Sequence, residues 1–179
     1  APAITDVRHW PVLPAAYQPV TVTARIEDPD GIAQAILKYR VDPAANYVTV
    51  PMSCCGAGLL SAVIPGQASG ARAAFYLETR DACVPNGTAR FPDDAPAREC
   101  LVNFGEATLA GNFGAYRLWV SQRNVARWAT REKQSNHPLD ATFAYGGCRV
   151  FYNVKTLYSG SPFHTSGFDS PDGNACDYE

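Results

Sequence analysis

Nowhere in the 179-residue sequence do apolar residues run unbroken for the ~18–20 positions that a membrane-spanning helix needs, and no basic-then-apolar segment opens it. The chain therefore reads as soluble. An excess of one charge is also missing: Lys and Arg number 15 against 17 Asp and Glu, a net charge of −2. That balance predicts no bulk attraction to nucleic acid or to an acidic membrane. The sequence has no G-x-S-x-G elbow, P-loop, H-E-x-x-H or G-x-G-x-x-G, which removes the common hydrolase, nucleotide and zinc-peptidase signatures. It has no C-x-x-C pair, and His9, His137 and His164 are too scattered to propose a metal cluster, so no metal is assigned.

What is present is globular in composition, with 46% hydrophobic and 18% charged residues and a length that suits one ordinary domain or two small ones. Fourteen glycines and 14 prolines exceed average usage and favour turns between short strands over long helices. Six cysteines (Cys54, Cys55, Cys83, Cys100, Cys148 and Cys176) form an even number at irregular intervals, which favours disulfides in an oxidising compartment over free thiols. Adjacent Cys54 and Cys55 rarely bridge each other. Cys83 with Cys100 is the preferred pair, since both are expected near the ends of antiparallel neighbouring strands. Asn86-Gly87-Thr88 matches the N-glycosylation acceptor, though Asn-Gly is first of all a turn. The first residue, Ala1, and the last, Glu179, both read as cuts within a longer polypeptide.

From Ile4 to Asn103 the residues alternate in short segments, the period-2 signature of a half-buried sheet. Seven strands are predicted: Ile4 to Trp10, Val20 to Glu27, Ala35 to Val41, Tyr47 to Met52, Leu59 to Ile64, Ala73 to Ala82 and Cys100 to Phe104. Val20, Val22, Ala24 and Ile26 should face inward. In the third strand Leu37, Tyr39 and Val41 should face inward, with Lys38 and Arg40 outward. Asp28-Pro29-Asp30-Gly31 supplies a turn; its two carboxylates fall short of a calcium ligand set.

The pattern changes beyond Gly105. Tyr116 to Val120 is a strand candidate, and a helix is predicted from about Arg123 to Lys133, beginning at Ser121 or Gln122, with Val125, Trp128 and Ala129 on its apolar face. Arg123, Arg127 and Arg131 form a stripe on the opposite face. Between Gln122 and Lys155, six basic residues oppose Glu132 and Asp140, a local charge of +4 that could attract phosphate, although such a stripe is more simply a solvated helix surface. Leu139 to Tyr145 and Cys148 to Leu157, joined by Gly146-Gly147, form the clearest hairpin. Trp119, Trp128, Phe143 and Tyr145 could be drawn as a sugar platform but are more simply core residues. Ser161, His164 and Asp169 could be drawn as a triad, for which sequence proximity provides no geometry.

The first hundred residues, most plainly Pro19 to Pro29 and Phe75 to Asp81, resemble a bacterial immunoglobulin-like or fibronectin-type-III-like sandwich. The combination Tyr116-Arg117-Leu118-Trp119, Asn124-Val125-Ala126-Arg127-Trp128, Ser135 to Phe143 and Tyr158-Ser159-Gly160-Ser161-Pro162-Phe163-His164 resembles the opening of a CotH-type (spore-coat protein H-like) kinase domain. The resemblance implies a mainly β chain: a seven-stranded immunoglobulin-like β-sandwich over 1–105, then over 106–179 a small, incomplete α+β unit like the start of an atypical kinase N-lobe. It also implies phosphate transfer from ATP, with Mg²⁺ or Mn²⁺, to extracytoplasmic proteins by a longer secreted bacterial parent. Family members carry a small-residue loop against the nucleotide phosphates; Gly160 and Ser161 match it here, while the loop's Arg is missing.

This piece lacks the family's later acidic residues, so the resemblance predicts a non-catalytic module needing no cofactor itself. Its partners would be the remainder of its own chain and, through that, extracytoplasmic protein substrates. A different class of expectation is an extracellular adhesion or carbohydrate-contact module.

Overall fold

The computed structural model describes residues 1–83, 87–107, 114–131, 137–159 and 177–178. In chain order the elements are β1 (Ala3–Trp10), β2 (Val20–Glu27), β3 (Ile32–Asp42), β4 (Val48–Pro51), β5 (Ser53–Gly56), β6 (Leu59–Ile64), β7 (Arg72–Asp81), β8 (Thr88–Phe91), β9 (Cys100–Asn103), β10 (Tyr116–Trp119), α1 (Gln122–Thr130), β11 (Leu139–Tyr145), β12 (Arg149–Thr156), β13 (Tyr158–Ser159) and β14 (Asp177–Tyr178). The chain is mainly β.

Two antiparallel sheets enclose the main core. One runs β1-β2-β6-β5; the other runs β4-β3-β7-β8, with β9 also paired to β7. Alternation explains the packing. Val20, Val22, Ala24 and Ile26 of β2 meet Leu37 and Tyr39 of β3, Phe75 and Leu77 of β7, and Cys100 and Val102 of β9 across the inter-sheet space. All seven expected strands form, and β5 and β8 join them as edge additions. Asp28-Pro29-Asp30-Gly31 is a turn as read: the Asp30 N–H donates to Asp28 Oδ1 at 2.9 Å, and Gly31 takes φ +87°, a conformation that costs glycine little.

A third sheet, β10-β11-β12, follows Gly105. Its β11–β12 hairpin turns at Gly146 and Gly147 with φ +60° and +68°, as the Gly-Gly pair predicted. Helix α1 begins where expected, with the Asn124 N–H donating to the side chain of its N-cap, Ser121. Its buried face differs from expectation: Asn124 and Trp128, four apart, point inward while Ala129 is exposed.

The boundary at 105 is a change of sheet, and the core continues across it. Trp119 and Ala144 of the third sheet pack with Val12, Ala74 and Leu101 of the sandwich, and Tyr152 packs into the main core. Strand β9 carries the junction. Its sheet partner is β7, and on the other side the N–H of Leu101 and that of Glu99, just before the strand, donate to the side chains of Thr142 (3.1 Å) and Asp140 (3.1 Å) on β11. Two β11 side chains thus satisfy backbone donors that an uncovered sheet edge would leave open.

Cys83 and Cys100 do not bridge; all five described cysteines are free thiols. Strands β7 and β9 are indeed antiparallel neighbours, but Cys100 lies opposite Phe75, because β8 occupies the far end of β7 from Leu77 to Arg80. Even Asp81, the end of β7 nearest Cys83, is six residues from Phe75, roughly 20 Å at ~3.3 Å per residue. Arg40 does not face solvent either; it is 6% exposed and held between Glu99 and Asp42.

Candidate functional site at the seam between the sheets

A connected set of polar side chains lies where helix α1 and the third sheet meet the sandwich. Arg40 of β3 makes a two-pronged pair with Glu99, Nε to Oε1 at 2.7 Å and Nη2 to Oε2 at 2.6 Å, and its Nη1 donates to Asp42 Oδ1 at 2.8 Å. The Tyr47 hydroxyl donates to Glu99 as well. Glu99 is 2% exposed, so its charge is held by this matched geometry and not by water. The pairing raises the Arg40 guanidinium above its ordinary value, and burial with the Glu99 charge pushes the Tyr47 hydroxyl up to about 12.

Helix α1 is tied into the same network. The Gln122 N–H donates to Asp42 Oδ2 at 2.7 Å, placing a carboxylate at the positive end of the helix. Arg123 donates to the carbonyls of Pro96 and Ala97 at 3.1 and 2.9 Å and pairs more loosely with Glu99 at 3.4 Å. The arginine stripe read from the sequence therefore divides. Arg123 docks the helix, Arg131 donates to the His137 carbonyl and lies over the Trp128 ring, and Arg127 borders a cavity.

That cavity, of about 350 Å³, opens between α1, the start of β11, the middle of β12 and the loop carrying Asp94 and Arg98. Asn124, Arg127, Asp140, Asn153 and Lys155 line it with Arg98. Asn124, 3% exposed, donates through Nδ2 to the Asp140 carbonyl at 2.9 Å, which fixes its amide orientation and leaves Oδ1 with no partner. Asp140 Oδ1 and Asn153 Oδ1 are likewise buried and unpartnered. Asp140 accepts from Glu99 through its other oxygen, yet burial pushes its carboxyl up to about 6. Asn153 holds φ +55° in mid-strand, a conformation disfavoured for residues with a Cβ.

A second seam contact is the His9 ring. Its Nε2–H donates to the Val12 carbonyl at 3.2 Å, which leaves Nδ1 to accept from the Tyr152 hydroxyl of β12. Burial lowers the His9 imidazole to about 4, so it is neutral in the folded chain at neutral pH. His137 is exposed at the cavity entrance, and no group of three or more His, Cys, Asp or Glu among the described residues could hold a metal ion.

The remaining candidates separate. Gly160 and Ser161, the phosphate-loop pair, lie outside the described residues, as do His164, Asp169, Asn86 and Cys176. Trp119 and Trp128 are core residues, as read, and Trp119 Nε1 donates to Glu106 at 2.9 Å. Phe143 and Tyr145 are not; with Tyr116, Leu118 and Phe151 they cover the outer face of the third sheet. Tyr116 stacks on Tyr145 at 5.1 Å and on Phe143 at 5.9 Å, so these rings turn their faces to one another. Asn124, Asn153 and Glu99 were missed by sequence reasoning. Only the four-residue spacing of Asn124 from Trp128 signalled an inward face. None of the described helices is long and apolar enough to cross a membrane.

Comparison with protein-family models finds none that matches the chain, and a search of curated proteins finds no match.

Proposed function

We propose that this chain is a non-catalytic brace: an immunoglobulin-like sandwich fused through a shared core to the opening strands of a CotH-kinase-like unit, within a longer secreted bacterial protein. The observation that carries the reading is the continuity of packing at the seam. Trp119 and Ala144, from the segment that resembles the kinase-like opening, pack with Val12, Ala74 and Leu101 of the sandwich, and Asp140 and Thr142 close the β9 edge. A unit anchored this way has its orientation set by the sandwich. In the longer protein, ATP with Mg²⁺ or Mn²⁺ would be handled by a later lobe, and extracytoplasmic proteins would be its substrates. Phosphoryl transfer needs metal-binding carboxylates and a positioned acceptor in addition to the early strands.

The test is phosphate release from ATP with Mg²⁺ or Mn²⁺, measured for this chain and for the longer polypeptide. Release by the longer polypeptide alone supports the reading. Release by this chain unaided, abolished by changing one of its own side chains, overturns it.

A further inference from the structure

The seam cavity contains more polar capacity than the fold uses. Asn124 on α1, Asp140 on β11 and Asn153 on β12 each contribute a buried oxygen without a hydrogen-bond partner, and all three residues line the same space. Buried polar atoms are nearly always paired, so three orphans from three elements at one cavity call for a physical reason. They are acceptors: the Asn124 amide is oriented by its bond to the Asp140 carbonyl, which leaves its oxygen and not its nitrogen unpartnered. An unpartnered acceptor asks for a donor.

The cavity's cations ask for the opposite. Arg98 is engaged by Asp94 at 2.7 Å, but Arg127 and Lys155 form no ion pair with a described residue. Both are exposed, so their charges are solvated and available at the opening. A divalent cation would satisfy the oxygens and meet the Asp140 carboxylate, but with Arg98 already paired to Asp94 it would still face the charges of Arg127 and Lys155. A bare anion would satisfy the cations and leave the oxygens unmet. A volume of about 350 Å³ lies at the small end of ligand pockets and suits one ring, not a nucleotide.

We propose that this cavity binds a single sugar-acid unit, a hydroxylated ring whose hydroxyls donate to Asn124, Asp140 and Asn153 and whose carboxylate pairs with Arg127 and Lys155. The three oxygens have no solvent contact, so the proposal includes a side-chain adjustment that turns them toward the ligand. The inference rests on the cavity alone and stands or falls separately from the brace reading, since sugar binding neither needs nor forbids a kinase-like lobe.

The experiment is an amide chemical-shift titration of the whole chain with D-glucuronate, using D-glucose and inorganic phosphate as comparators. Glucuronate should give saturable shifts concentrated in α1, β11 and β12, with glucose and phosphate each at least tenfold weaker. Asn153→Gly suits the positive φ while removing the acceptor, and Arg127→Gln changes an exposed position; each should weaken glucuronate at least tenfold with the rest of the spectrum intact. Absence of saturable shifts with glucuronate overturns the proposal. So does phosphate or glucose binding as tightly as glucuronate, or either variant retaining full affinity.

Discussion

Burial moves two titratable side chains at the seam in opposite directions, and the consequences for stability oppose each other. His9 falls from 6.5 to about 4 because burial outweighs its bond to the Val12 carbonyl. The unfolded chain takes up that proton first, so the His9 contribution is complete above pH 6.5 and is lost as the pH falls toward 4, about 3 kcal/mol in all. Asp140 rises from 3.8 to about 6, burial outweighing the Glu99 N–H and the Arg98 charge. Its folded form holds the proton longer, so its contribution is complete below pH 3.8 and is lost as the pH rises through 6. Between pH 4 and 6 the two nearly cancel. Asp140→Asn removes one arm, and on acidification from pH 6.5 to 4 the variant should lose about 3 kcal/mol more than the parent in urea denaturation followed by circular dichroism. Parallel stability profiles would contradict this assignment. Neither residue announces its environment in the sequence: Asp140 sits in an alternating strand like any solvent-facing carboxylate, and its cover comes from Glu99, 41 positions away.

Among the elements, those with a clean alternation were legible and those defined by distant cover were not. β2 and β6 have the limits read from the sequence, because Val20, Val22, Ala24 and Ile26 can meet a core on one side only. The β11–β12 hairpin was legible from Gly146-Gly147. Strand β5, Ser53–Gly56, is exposed along its whole length and offers no hydrophobic alternation to read. Arg40 was misread because period 2 assigns it the outer face of β3, and on that face Glu99, from later in the chain, pairs with it. In the main core, Leu37 and Leu77 are fully buried and directly paired across β3 and β7. Either residue changed to Ala should cost roughly 2–5 kcal/mol, the range for a cavity in a packed interior. A loss below about 1 kcal/mol in the denaturation midpoint would mean that the inward face has been misassigned.

For the whole molecule, the sequence changes character near Gly105 while the packing does not. The switch from sandwich alternation to a strand-helix-hairpin order was legible because local patterns encode it. The shared core was not, because Val12, Ala74, Leu101, Trp119 and Ala144 come from five separate stretches that no local window joins. A brace requires these stretches to form one cooperative unit. The most direct test is equilibrium urea unfolding of the intact chain with Trp10 replaced by Phe, monitored together by the fluorescence of the buried Trp119 and Trp128 and by far-ultraviolet circular dichroism, to which the sandwich contributes most of the strands. A shared core requires coincident transitions with a single midpoint. Loss of the tryptophan signal at lower urea, with the β-sheet signal still intact, would show two independent units and contradict it.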